Sequence, residues 1–316
     1  MPHSHQTPVG AAASGIDHAL GGHENPAFTE DRTVAQEETT RPLRNGENGH
    51  GIGQGPQVVS ISKGVEVLCG PLLNYRRMSK EHTDNPIWHG SVLIVTTPGT
   101  IDPELRVRIK RTSGDGEVYT GVASYTKSIR GEKLYEDPKG AFWRFMIEVP
   151  FQSRESIWEY GIVNAIQSDR NPNDPSQPRT FYVPAKTQSM RIMFHSCNGF
   201  SAGTDEEAWS GPALWNDVLR IHDEKPFHVM IGGGDQIYND GVRIDGPLKA
   251  WTDIGNPKRR RDFPFNEELR SQCDKYYFDN YVRWYNTKPF SVANGQIPQL
   301  NIWDDHDIID VSPLPF

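Results

Sequence analysis

At 316 residues and 35% hydrophobic content, the chain is long enough to bury a sizeable core, although part of it is too polar to join one. A formal net charge of -8 excludes general affinity for polyanions, so no nucleic-acid partner is expected, and an anionic substrate would need a local positive group such as a metal. The three cysteines, Cys69, Cys197 and Cys273, are too few and too scattered for a disulfide framework. They point to a reducing compartment. The N-terminal "MPHSHQTPVGAAASG" carries no signal core and no apolar run reaches membrane-spanning length, so a soluble, intracellular chain without a membrane span is expected.

Residues 1–55 repeat apolar positions at neither the strand nor the helix period and read as a disordered tail. Its histidines, His3, His5, His18, His23 and His50, are irregularly spaced, which suits a solvated tail better than a metal-binding one. Over 56–185 the pattern becomes short alternating segments. In "ELRVRIK" Leu105, Val107 and Ile109 share one face and Arg106, Arg108 and Lys110 the other; in "FWRFMIEV" Trp143, Phe145, Ile147 and Val149 alternate with polar positions. "SVLIVTT", "EVYTGVASYT" and "IWEYGIVNA" read the same way. Gly and Pro clusters separate them, predicting an antiparallel, immunoglobulin-like β-sandwich that leaves through the loop "QSDRNPNDPSQP". His82, Asp84 and His89 read as surface polar groups rather than ligands.

Over 186–316 the period switches. "RIMFHSC", "FHVMIGGGD" and "QLNIWDDHD" are apolar without alternation, as strands buried on both faces should be. Between the first two, "TDEEAWSGPALWNDVLRIHD" predicts a helix starting at Thr204, to be broken or restarted at Gly211-Pro212. Between the last two, "NEELRSQCDKYYFDNYVRWYN" repeats Leu269, Cys273, Tyr276, Tyr277 and Tyr281 at helical spacing, a stripe read as core. The fold class is therefore mixed, α+β overall with a parallel α/β sheet wrapped by helices in its second part.

Each of the three parallel strands ends in polar groups: Ser196, Cys197 and Asn198; Asp235, Gln236 and Tyr238; Asp304 to Asp307. Carboxyl ends of parallel strands share one sheet edge, so these groups converge. A thiol, carboxylates, a phenol and an imidazole meeting there are unfavourable unless hard cations neutralise them, which predicts a metal site, dinuclear in this reading. Gly232, Gly233 and Gly234 would let the backbone turn Asp235 into the cleft.

The motifs "HSCNGFS", "GGGDQIYNDGV" and "NIWDDHDIID", in that order behind the β-rich segment, resemble the PhoD-like metallophosphatases (alkaline phosphatase D-like), specifically their fungal-type branch. The resemblance covers roughly 56–310 and is most specific over 190–240 and 298–310. It implies that Cys197, Asp235, Tyr238 and Asp305 are metal ligands, with Asp304 a lesser candidate. His306 becomes the catalytic acid and phosphate contact, while Ser196 and Asn198 are neighbours only. It further implies a dinuclear or multinuclear site of iron with calcium, or of other divalent metals. The substrate would be a phosphate ester, mono- or diester, hydrolysed by a metal-activated hydroxide. In that family the sheet continues past the "DDH" motif, so 186–316 is expected to be the N-terminal part of a truncated metallophosphatase domain.

Two other readings stay open. A truncated, non-catalytic form could serve as an interaction module, with Lys258-Arg259-Arg260-Arg261 as a docking run or simply a solvated loop. "GFSAG" also matches the serine-hydrolase elbow with Ser201 as nucleophile, although Thr204 sets the predicted helix start too far downstream of the strand for that turn.

Overall fold

A computed structural model describes residues 64–79, 86–112, 125–200, 204, 205, 208 and 211–310. The predicted tail, His82, Asp84 and Ser201 lie outside the described residues, as does most of "EVYTGVASYT". Among the described residues no helix is long and apolar enough to cross a membrane.

Alternation in the sequence becomes strand wherever one face meets the core. The strands in chain order are β1 (Val65–Ser79), β2 (Ile87–Thr96), β3 (Glu104–Thr112), β4 (Thr126–Arg130), β5 (Glu132–Asp137), β6 (Gly140–Pro150), β7 (Ser156–Ile162), β8 (Ala165–Gln167) and β9 (Arg179–Val183). Leu105, Val107, Trp143, Phe145, Ile147 and Val149 are buried, while Arg106 and Glu148 face outward. His89 departs from the expected surface role. It is buried in β2, where its Nε2 lies 2.6 Å from the Ser79 hydroxyl and its Nδ1 3.5 Å from Glu148.

The second part supplies β10 (Ile192–His195), α1 (Ala213–Glu224), β11 (Val229–Gly232), the short helices α2 (Gly241–Ile244), α3 (Lys249–Thr252) and α4 (Pro257–Arg261), then α5 (Glu267–Asn286), α6 (Phe290–Gln296) and β12 (Gln299–Asn301). Two predictions of local structure change. Thr204 and Asp205 are not helical, and α1 begins only after Gly211, whose φ of +66° breaks the chain direction, and Pro212. The basic run is a helix rather than a loop: Asn256 caps it by accepting from the Lys258 and Arg259 amides, and Arg260 donates to the Thr252 and Ile254 carbonyls. The long helix matches its prediction, with Asn266 as N-cap accepting from the Leu269 amide at 2.9 Å.

One sheet runs β10-β11-β12-β1-β2-β6-β5, with β8 also paired to β1; the other runs β4-β3-β7-β9. Strands β10, β11 and β12 are parallel, as predicted. The sequence gives no hint that β12 pairs in parallel with β1 through Asn74 and Gln299, so strands from both parts of the chain lie in one sheet. Beneath it, side chains of both sheets form a shared core that includes Leu73, Trp88, Phe145, Leu105, Trp158 and Phe181. The Trp88 and Phe181 rings lie 5.1 Å apart. Each such fully buried side chain contributes about 1.5–3 kcal/mol relative to exposure.

Helices α1 and α6 cover one face of the parallel strands, where Met230, Ala293 and Ile297 pack with Met193, Trp215 and Leu219. On the opposite face Ile192 and Phe194 of β10 remain 55% and 66% exposed, with Leu300 of β12 at 41%. Among the described residues, therefore, helices cover one side of these strands rather than wrapping both.

A buried polar cluster joins α5 to β1. Asn286 Nδ2 donates to the Leu68 and Arg170 carbonyls at 2.8 and 2.9 Å, Asn173 Nδ2 donates to the Asn286 carbonyl, and Asn171 Nδ2 to the Gly70 carbonyl. Asn286→Ala strands two of these acceptors. It is expected to cost about 1–3 kcal/mol of stability, measured as a shift in the urea midpoint at unchanged slope. A midpoint equal to the parent's would show that the cluster contributes nothing.

Candidate metal centre

Three loops at the carboxyl ends of β10, β11 and β12 are stitched together by their backbones. The Gly233 amide donates to the His195 carbonyl at 2.7 Å, the Cys197 amide to the Gly234 carbonyl at 3.1 Å, and the Asn198 amide to the Asp235 carbonyl at 2.8 Å. The Ile302 amide donates to the Gly232 carbonyl at 3.0 Å. Cys197 and Asp235 both sit in the left-handed region, at φ 55° and 53°. For residues with a Cβ this backbone is uncommon and persists only where surrounding contacts enforce it. Gly234, at φ +112°, admits the third loop: a Cβ there would lie 2.6 Å from that of Asp304.

Asp307, placed by the sequence among the converging polar groups but given no role of its own, holds the loops after β11 and β12 in register. Its buried carboxylate accepts from the Asp235 amide at 2.7 Å and the Asp304 amide at 2.9 Å through Oδ2, and from the Ile237 amide at 3.2 Å through Oδ1. Its carbonyl accepts from Asn239 Nδ2 at 2.7 Å and from the Tyr281 hydroxyl at 2.5 Å. Tyr281, counted in the sequence as part of an apolar stripe, therefore braces the site from α5.

Within this frame Asp235, Asp305 and His306 each present a donor atom, all within 4.8 Å of one another. Cys197 lies outside this trio but near enough to Asp235 to help hold that carboxyl's pKa down. Tyr238 packs its ring 4.8 Å from that of His306. Asp304 is exposed, lies outside the trio, and uses Oδ1 to accept from the Asp305 amide at 2.9 Å. Asn198 is a strut: it donates to the Gln236 carbonyl and accepts from Trp215 Nε1 at 2.6 Å.

Asp240 is a residue the sequence reading missed. It occupies the N-cap position of α2 but makes no capping hydrogen bond. Both its oxygens instead lie 2.8 Å from His306 Nδ1. An ionised carboxylate only accepts, so Nδ1 carries the proton and Nε2 is the nitrogen left for chemistry. From sequence, an acidic residue opening a helix looks like a cap, which is why this one gave no distinct signal.

The electrostatics are those of a site in which carboxylates outnumber the one imidazole. Burial, reinforced by Asp304 and Asp307, raises the Asp235 pKa despite opposing contributions from His306 and Cys197. Burial and then the charges of Asp235 and Cys197 push the Tyr238 phenol up to about 12. Burial lowers the His306 pKa, but the Asp240 hydrogen bond and the charges of Asp240, Asp235 and Asp305 outweigh it and leave the imidazole above its usual range. Asp235 Oδ1 is buried with no hydrogen-bond partner. A cation would satisfy that oxygen and reverse the penalties on the carboxylate and the phenol, so the residues present fit a metal.

A histidine whose pKa rises on folding stabilises the fold fully below the ordinary histidine range and loses that contribution as pH rises through the raised value. In Asp240→Asn the charge is gone, and the His306 titration followed by NMR is expected to move down. An unchanged midpoint would remove Asp240 from this role.

Comparison with known proteins agrees with this arrangement of motifs. The sequence model for PhoD related phosphatase matches residues 154–312. An uncharacterized protein of Saccharomyces cerevisiae is 29% identical over 262 residues, covering 77% of this chain and 35% of its own length, so the chain spans about a third of that relative. Among solved structures, a purple acid phosphatase from yellow lupin (Lupinus luteus) seeds is 15% identical with a TM-score of 0.33, covering 75% of this chain and 36% of that one. A β-glucuronidase of Bacteroides uniformis is 12% identical with a TM-score of 0.23, covering 77% and 28%. Neither structural score is high enough to bear on the fold. The match over 154–312, which contains all three loops at the strand ends, is the evidence of kinship: this chain belongs to the PhoD related phosphatase family.

Proposed function

We propose that the chain carries the metal centre of a phosphoesterase acting on phosphate mono- or diesters. The observation that supports this most is the trio Asp235, Asp305 and His306 gathered within 4.8 Å around a buried carboxylate oxygen that has no partner. Asp235, Asp305, Cys197 and Tyr238 would hold the metal, iron with calcium or other divalent ions, with Asp304 at the margin. When bound, such cations supply Lewis-acid stabilisation of the phosphoryl oxygens and make water a better nucleophile at neutral pH.

The chain's own residues do the rest. Asp240 fixes the imidazole of His306 so that Nε2 can give its proton to the departing alkoxide. Water adds to phosphorus, the ester P–O bond breaks, and the proton that water releases goes to solvent. Asp307 keeps the loops in register without touching substrate. The strands over 56–185, read as an immunoglobulin-like sandwich, would support β1 and through it β12.

The test loads the purified chain with iron, calcium, manganese or zinc, measures bound metal by elemental analysis, and assays p-nitrophenyl phosphate and bis(p-nitrophenyl) phosphate. Metal-dependent release of nitrophenol from either ester is expected. A chain that retains no metal and hydrolyses neither would overturn the proposal.

A further inference from the structure

A cleft of about 770 Å³ opens beside the centre. Its near wall is Tyr238 and Asp240, which both meet the His306 ring; the remainder includes Asp245, Gln272, Tyr276 and Arg283. It is far larger than a phosphate group and falls within the size range of small-molecule sites. His306 is not itself part of the cleft wall, but the alcohol side of an ester whose departing oxygen it protonates lies next to its ring, within reach of the cleft that Tyr238 and Asp240 border.

We infer that the cleft takes the alcohol portion of the substrate and that this portion is a neutral, hydroxyl-rich group such as a pentose or polyol; the inference rests on the phosphoesterase reading above. The lining argues for that chemistry. Lys275 is paired with Asp279 at 2.5 Å and Asp240 with His306, so three of the wall's charges already face a partner. Arg283 donates to the neutral amide oxygen of Asn280 at 2.6 Å. Tyr276 stands close against Gly241, where a Cβ would come within 2.5 Å of its hydroxyl. With Asp245, Gln272, Tyr276 and Arg283 the wall presents both acceptors and donors, which suits hydroxyls that both donate and accept. An apolar alcohol would leave these polar groups desolvated and unpaired.

The experiment compares ribose 5-phosphate with butyl phosphate, which share the phosphomonoester and differ in the alcohol. The metal-loaded parent is expected to favour ribose 5-phosphate by about tenfold or more in kcat/KM, a preference that Tyr276→Phe combined with Arg283→Ala narrows to about threefold or less. Equal rates in the parent, or a preference the double variant retains, would overturn the inference.

A second arm needs no turnover. Saturation-transfer NMR with methyl β-riboside, which has no phosphate, is expected to show contact with the parent and loss of contact in Gln272→Trp, whose indole would fill the cleft from an exposed position. No transfer to the parent overturns the inference even when both esters are hydrolysed. Transfer without hydrolysis of either ester sustains the cleft's specificity and overturns the phosphoesterase reading instead.

Discussion

Asp235→Ala is expected to reduce bound metal to background, measured by elemental analysis of protein desalted after loading. Asp235 combines three properties no other residue of the site has together: it belongs to the trio within 4.8 Å, its Oδ1 is buried without a partner, and its backbone is held at φ 53°. The remaining Asp305 and His306 form an incomplete set, and ligand number and geometry govern retention of a metal. The fold should survive, because the Asp235 amide still donates to Asp307 and its carbonyl still accepts from the Asn198 amide. Alanine also tolerates the left-handed backbone less well than aspartate, at a cost of about 1–2 kcal/mol. Asp235→Asn separates the two effects: it keeps the shape and the tolerance and should still lose most of the metal. Uptake equal to the parent's in both variants would count decisively against the proposed centre.

Asp307→Ala should cost more stability than any other substitution at the site. Its carboxylate serves the amides of Asp235, Ile237 and Asp304 while the residue is only 3% exposed. Alanine leaves these donors without their acceptor at a buried position, at about 1–3 kcal/mol for each that finds no water. Because the three share one acceptor, their costs do not add, and a total loss of about 2–5 kcal/mol is expected from guanidinium unfolding. Asp307→Asn should recover only part, since its NH₂ would face one of the amide donors in place of an oxygen. Metal uptake should fall in both variants although Asp307 belongs to no ligand set, because the loops presenting Asp235 and Asp305 lose their common tie. Full stability in Asp307→Ala would mean that the backbone bonds between the loops suffice without it.

Much of this architecture could be read along the chain. Period-two segments such as "ELRVRIK" and "FWRFMIEV" became β3 and β6 with the predicted faces inward, because a strand's alternation is set by covalent geometry. The three unalternating runs became parallel strands, and the order of their polar ends led to the family. β1 was missed: "VEVLCGPLLNYRRMS" does not alternate cleanly, since Gly70-Pro71 interrupts it and its burial follows β2, β8 and β12 rather than period two.

At the site the division falls between side-chain type and side-chain partner. Local sequence was enough to identify which donors stand at the strand ends, because parallel strands put their carboxyl ends at one edge whatever lies between. It could not rank them. That Asp235, Asp305 and His306 form the close set while Asp304 stays outside depends on left-handed backbone at Asp235 and on one buried carboxylate, Asp307, reaching three amides across two loops. The pairing of Asp240 with His306 spans 66 residues. No periodicity encodes such a contact, since it exists only once β11 and β12 have met and the loops beyond them have closed on each other.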